Sequence, residues 1–257
     1  WPQGMTEAPS TEPVPAGLDW ESFLGRAPER GYSSKIHPFN WRGYHDYGCG
    51  ALGDMACHLM DAANTALKLG APSSVELKQL EGPSNFAFPK SAVVEFQFPA
   101  RGNLPPVTLM WREGGAKPEK PAQMEPNRQL AQGGQLIIGS NATVYDGNDY
   151  CNSPRIVPEA RHRELAPTFP PRTIPRVPNG NPHKEWTAAI RANNPTGAGS
   201  NFEYSVPFTE TVCLGTMAIL AGGKFTWDAE AMTTSSPAAN KFLYPTYRRG
   251  WTPKDMI

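Results

Sequence analysis

Asp54, His58 and Asp61 stand at spacings of four and three inside an otherwise apolar, small-residue run, YGCGALGDMACHLMDAANTALKLG, residues 47–70. On a helix those spacings return the chain to nearly the same angle, so two carboxylates and an imidazole converge on one side. Such a set has three chemical readings. In the first, Asp54 is a first-turn carboxylate favoured by the helix dipole, His58 a satisfied core histidine and Asp61 a surface group. In the second, the three are metal ligands, although no second His or Cys cluster stands nearby at ligand spacing. In the third, Asp54 holds and polarises His58, and His58 moves a proton at a substrate hydroxyl. The small residues Gly48, Gly50, Ala51, Gly53 and Ala56 would then let a ligand or another backbone come close.

The helix that must position them is predicted over about Gly50–Leu69, where Leu52, Met55, Leu59, Met60, Ala63, Ala66 and Leu67 recur at helical spacing before Gly70 and Pro72 supply the stop. Ahead of it, aromatic-rich loops carrying Trp20, Phe23, Tyr32, Phe39, Trp41, Tyr44 and Tyr47 read as pocket walls, because such rings stack on flat ligand faces and sugars. After it come five strand candidates, SSVELKQL, SAVVEFQF, PPVTLMWRE, GQLIIGS and ATVYDG, which read as a mainly antiparallel sheet. The proline-rich stretch Arg155–Asn181 has no period and is expected to be a long surface loop. Asn181 is the predicted cap of a helix with Pro182 in its first turn and Trp186, Ala189 and Ile190 facing inward, ending at Asn193 to Pro195. Ser205 is the predicted cap of another, from Val206 to about Ala221, ahead of the short strand KFTWD. The last stretch, NKFLYPTYRRGWTPKDMI, has no period and is expected to drape on a surface. Three helices cannot cover both faces of a sheet built from SAVVEFQF, PPVTLMWRE and GQLIIGS. One face is therefore expected to stay open and to bury itself against a second copy.

Composition narrows the partners. Lys plus Arg and Asp plus Glu are both 24, so there is no net charge and no basic field to draw in nucleic acid or an anionic membrane. Gly 24 and Pro 28 in 257 residues indicate long ordered loops on a folded domain rather than disorder. Four cysteines, Cys49, Cys57, Cys151 and Cys213, lack CxxC spacing and read as buried free thiols. The longest apolar run, Val212–Gly223, is shorter than a bilayer span. The chain opens WPQGMTEAPSTEPVPAG, without an initiator Met or a signal sequence, so residues 1–17 read as an extended linker from an upstream domain and 18–257 as one domain.

With these elements in place, GCGALGDMACHLMD, preceded by FNWRGYHDY, resembles the pattern that opens the C-terminal domain of the glucose-fructose oxidoreductase / inositol dehydrogenase / MocA (Gfo/Idh/MocA) family of NAD(P)-dependent oxidoreductases. The resemblance continues through HKEWTAAIRANNPTGAG and ETVCLGTMAILAGGKFTWD. It implies an α+β fold, an open, mainly antiparallel sheet with flanking helices, and a dehydrogenase acting on a sugar, polyol or glycoside. By resemblance, the Asp and His of D-x-x-x-H are the catalytic pair and fall on Asp54 and His58. Trp41, Arg42, Tyr44 and Asp61 flank them as candidate substrate contacts, with Arg42 alternatively a simple ion-pair partner of Asp46. NAD or NADP would be held mainly by an N-terminal nucleotide-binding domain upstream of Trp1, since no strand, G-x-G-x-x-G turn and helix occur in this chain. The EKP of Glu119–Pro121 matches a family tripeptide but lies in the polar loop GGAKPEKPAQ, and is read as coincidence. Cys49 stands where the family often has a glycine, and so does Ala56; both are small. Two other functions stay open on the residues: glycoside cleavage by transient oxidation and elimination, and a sugar-binding or assembly module without chemistry.

Overall fold

The structure, a computed structural model, describes residues 3–254, so Trp1 and Pro2 of the leading WPQG and the last three residues of the closing segment lie outside the described residues. In chain order the elements are α1 (Trp20–Leu24), a 3-10 turn (Asn40–Gly43), α2 (Gly50–Leu59), α3 (Asp61–Leu67), β1 (Ser74–Glu81), β2 (Ser91–Phe98), β3 (Val107–Glu113), β4 (Gln135–Ile138), β5 (Thr143–Asp146), β6 (Arg155–Val157), α4 (Glu159–Leu165), α5 (Pro182–Arg191), α6 (Phe202–Ala221), β7 (Lys224–Asp228), β8 (Thr233–Thr234) and α7 (Pro237–Asn240).

The main sheet is antiparallel with strand order β3-β2-β1-β7-β8. Alternation decides which face is covered: Ala92, Val94, Phe96 and Phe98 of β2 are buried with Val75, Trp111, Phe225 and Trp227 beneath α2 and α6. Gly215 of α6 makes this layer possible, since a Cβ there would lie 2.6 Å from Phe96 Cζ and 2.7 Å from Leu52 Cδ1. The opposite face is open only in part and mostly polar, with Val93, Ser74 and Ser91 buried on it. Lys78 pairs with Glu76 at 2.9 Å, Lys224 with Glu76 at 3.7 Å, and Gln97 donates to Glu95 at 2.9 Å.

GQLIIGS does not join this sheet. Its core, β4, pairs with β5, and β5 with β6, in a separate three-stranded sheet around Met124, Tyr145 and Val157. The same finding corrects the expected loop at Arg155–Asn181, which contains β6 and α4. A third cluster gathers Trp20, Leu24, Tyr32, Ile36, Tyr44 and Ala87 under the aromatic loops.

Three helix expectations change. The run over Gly50–Leu69 is two helices, broken at Met60 (φ −94°, ψ −15°) and ended by Lys68 in the left-handed region, with Leu69 N–H donating to Asn64 O. α5 has its Asn181 cap, but Trp186 and Ile190 are 62% and 60% exposed, so they do not face inward within this chain. α6 starts at Phe202 with Asn201 as cap; Ser205 ahead of Pro207 imitates a cap followed by a first-turn proline, although both lie inside the helix. At 20 residues α6 is, among the described residues, the one helix long and apolar enough to cross a bilayer, yet half of it is buried against α2, β1 and β2. All four cysteines are free; Cys49, Cys57 and Cys213 are exposed rather than buried. The closing segment drapes as expected, with Arg248 bound to Glu21 of α1 and to the O of Gly25, which caps it.

α2 begins without a side-chain cap from Cys49. Its first amides are met from afar: Gln3 Oε1 accepts from Ala51 N–H at 3.0 Å, and Gln3 Nε2 donates at 3.1 Å to Glu113 Oε1. The other Glu113 oxygen accepts from Trp111 Nε1 at 2.8 Å, and the carboxylate also takes the Leu52 N–H. Residues 3–17 thus lie fastened along the domain, with Gly4 N–H on Phe88 O and Glu12 N–H on Tyr32 O. Burial pushes the Glu113 carboxyl above the ordinary glutamate value, more than its donors pull it down. The folded chain then keeps this proton to higher pH than the unfolded chain, so its contribution to stability declines as pH rises from about 4.5 through the raised folded value. Glu113→Gln removes that slope. Thermal melts of both proteins between about pH 4.5 and 8 should show the stability of wild type relative to the variant shrinking as pH rises.

Candidate active site

α2 and α3 present the three sequence-predicted groups, and each is met by a residue from another element. Asp54 pairs with Arg42, Oδ1 to Nε at 3.5 Å, both side chains about one-third exposed. The Arg42 guanidinium lies 4.7 Å from the Phe39 ring centre and 4.6 Å from that of Trp41, so one cation is stacked on two aromatic rings and aimed at α2. Asp46, the alternative partner for Arg42, is instead bound to Arg30. Asp61 accepts a short hydrogen bond from the Tyr204 hydroxyl of α6, and that oxygen also meets Asn64 Nδ2 at 3.3 Å and Thr65 Oγ1 at 2.9 Å. Burial, with the Asp61 charge adding to it, pushes the Tyr204 phenol up and keeps it a donor.

His58 is half-buried, and its ring packs edge-on against Tyr150 at 5.2 Å and 68°. Among the described residues neither of its nitrogens has a hydrogen-bond partner, and no hydrogen bond joins it to Asp54. Trp41, Arg42, Asp54, His58 and Asp61 are all half-buried, open to a ligand from solvent. Tyr44 stands apart, 4% exposed and packed with Trp20 and Ile36, its ring facing protein. No group of three metal-ligating side chains occurs among the described residues.

Sequence reading missed Phe39 as a partner of Arg42, Tyr150 behind His58, Tyr204 on Asp61, and Gln3 with Glu113 at the start of α2. Phe39 alone carried a local signal, three residues before Arg42.

Residues 1–84 match the oxidoreductase family, C-terminal alpha/beta domain, of the Gfo/Idh/MocA group. That match spans 84 of the 257 residues, and over it the chain is similar to a Gfo/Idh/MocA C-terminal domain. No curated protein matches the chain. The matched residues run from the fastened leading segment through α3 into β1, and therefore include Trp41, Arg42, Asp54, His58 and Asp61. The Gfo/Idh/MocA oxidoreductases are in general NAD(P)-dependent, but the described residues of this domain do not fit a dinucleotide. Its glycine-rich turn, GCGALG, opens α2, and the Ala51 and Leu52 amides there are already taken by Gln3 and the Glu113 carboxyl, so they are not available to a pyrophosphate.

Proposed function

We propose that this chain is the substrate-binding, proton-transferring domain of an NAD(P)-dependent oxidoreductase acting on a sugar, polyol or glycoside. NAD or NADP would be held by a nucleotide-binding domain joined through residues 1–17, and would supply the hydride chemistry. The observation that carries this reading is the state of His58, a half-buried imidazole fixed by a ring contact with both nitrogens unpartnered among the described residues. A histidine sealed in the core would spend a nitrogen on the protein, whereas neither nitrogen of His58 is committed and both stay available to a substrate. His58 is the base that takes the proton of a substrate hydroxyl and returns it in the reverse direction. Asp54, one turn earlier and anchored by Arg42, places a negative charge beside the imidazolium that forms. Asp61, oriented by Tyr204, accepts from a neighbouring hydroxyl, and Trp41 offers apolar ring surface beside Arg42.

The test is an assay of the full-length protein on sugars and glycosides with NAD(P). NADH or NADPH accumulation at 340 nm is the expected result. Release of an aglycone without reduced cofactor would replace this reading by glycoside elimination, and sugar binding without either would leave only a binding module.

We further propose that a second copy covers the open face of the main sheet. Because that face carries Glu76, Lys78, Glu95, Gln97 and Thr108, the interface would be polar and hydrogen-bonded, weakening as salt rises. Sedimentation at tens of micromolar should show a dimer or larger; a monomer would sink the idea.

A further inference from the structure

A wide cleft lies beside the second sheet, away from α2. It has a volume of about 1060 Å³ and is bounded by β5, the loop Gly147–Arg155, α4 and the stretch that ends at Arg172. We propose that this cleft binds an organic anion through its phosphate or carboxylate group.

Charge is the first argument. The ionic side chains on its wall are Arg128, Arg155 and Arg172 against the single carboxylate of Asp146. Asp146 is 3% exposed, and both of its oxygens are consumed in shaping the loop, one by Asn148 N–H at 2.8 Å and the other by Ser153 N–H at 2.7 Å. Glu125 and Glu159, which pair with Arg128 and Arg155, are not part of the wall. They neutralise Arg128 and Arg155, with Glu159 taking both Nε and Nη2 of Arg155, so the excess positive charge on the wall is that of Arg172. Arg128 is also stacked 5.0 Å from the Tyr145 ring centre, and Arg172 has no ion-pair partner among the described residues.

The second argument is an unmet demand for an acceptor. His162 is 9% exposed, and its Nδ1 accepts from Ile156 N–H at 3.1 Å, while its Nε2 lies 2.8 Å from Nη1 of Arg155. A neutral imidazole has one acceptor nitrogen and one N–H, so with donors on both sides one N–H meets another. An anionic oxygen reaching this pair from the cleft, with the Arg155 guanidinium displaced from Nε2, would accept from both and remove the conflict. Asn148 and Asn152 on the same wall add amide groups for the rest of an organic ligand.

This site does not depend on the chemistry proposed for His58, although Tyr150, in the loop that walls the cleft, is the residue that packs on His58. Calorimetric titration of the 257-residue chain with inorganic phosphate, D-glucuronate, D-glucose 6-phosphate and, as neutral control, D-glucose tests it. At least one anion should bind more tightly than about 10 mM and glucose should not. Phosphate compounds binding better than glucuronate would assign the phosphate, and the reverse would assign the carboxylate. Arg172→Ala, a change at an exposed position, and Arg155→Gln should each weaken the anion about tenfold, the scale of one charge-assisted hydrogen bond. His58→Ala should leave the affinity unchanged, which separates this site from the α2 site. Absence of heat with every anion, or an affinity unmoved by Arg172→Ala and Arg155→Gln, would overturn the proposal.

Discussion

In the full-length protein, His58→Ala should lower kcat by roughly 10²–10⁴-fold, the scale of a lost general acid or base, with little change in Tm. Removing the imidazole exchanges one ring-edge contact with Tyr150 for solvent, and the half-buried position leaves no sealed cavity behind. Stability and activity should therefore part company. A structural histidine would give the opposite pattern, near-normal turnover in a domain that melts early. Asp54→Asn should lose less. It removes a charge from beside the imidazolium and frees Arg42 from an exposed ion pair that contributes little to folding, so the expected effect is a moderate fall in kcat with a displaced pH–rate profile. Chemical rescue of His58→Ala by added imidazole would show that the missing group acts as a base rather than as a wedge holding Tyr150.

Much of the main sheet is legible in the amino-acid sequence, and the reason lies in single strands. From Val94 onward SAVVEFQF alternates, with Val94, Phe96 and Phe98 on one face and Glu95 and Gln97 on the other, the period of a half-covered strand, while Val93 is buried on the second face. Pairing was harder to read. β4 looks like a further member of the same sheet, and its true neighbour set depends on β6, three residues placed directly after Pro154 and before Pro158. The candidate site divides the same way. Asp54, His58 and Asp61 are visible because helical spacing is a local property, whereas Tyr204 reaches Asp61 across 143 positions and Gln3 reaches Ala51 across 48. No local pattern encodes such meetings. Trp186 and Ile190 show the limit from the other side: the pattern on α5 identifies an apolar stripe but not what, if anything, lies over it.

The start of α2 supplies the second large effect. Gly50 has φ +65°, and a Cβ added there would lie 2.6 Å from Cγ and 3.1 Å from Cβ of Phe88, itself 1% exposed. Two costs therefore fall on Gly50→Ala. The left-handed backbone costs an L-residue about 1–2 kcal/mol, and overpacking a ring that has no free space costs about 1–3 kcal/mol more. Relief requires α2 to move away from Phe88, yet its first turn is bound to Gln3 and Glu113, so movement would break those bonds as well. Denaturant unfolding should show a loss of about 2–5 kcal/mol, the sum of the two terms. Gly70→Ala is the control, because Gly70 has a similar φ of +68° with nothing within 4 Å of the added carbon, and should show the backbone term alone. Activity carries the functional half of the prediction. Asp54 and His58 lie one and two turns beyond Gly50 on the same helix, so a shifted first turn displaces both together, and kcat should fall in Gly50→Ala even at temperatures where the domain remains folded. Gly70→Ala, which follows α3 and leaves α2 in place, should keep its turnover. Equal losses in the two variants would mean that backbone strain alone sets the effect and that the seat on Phe88 does not position the pair.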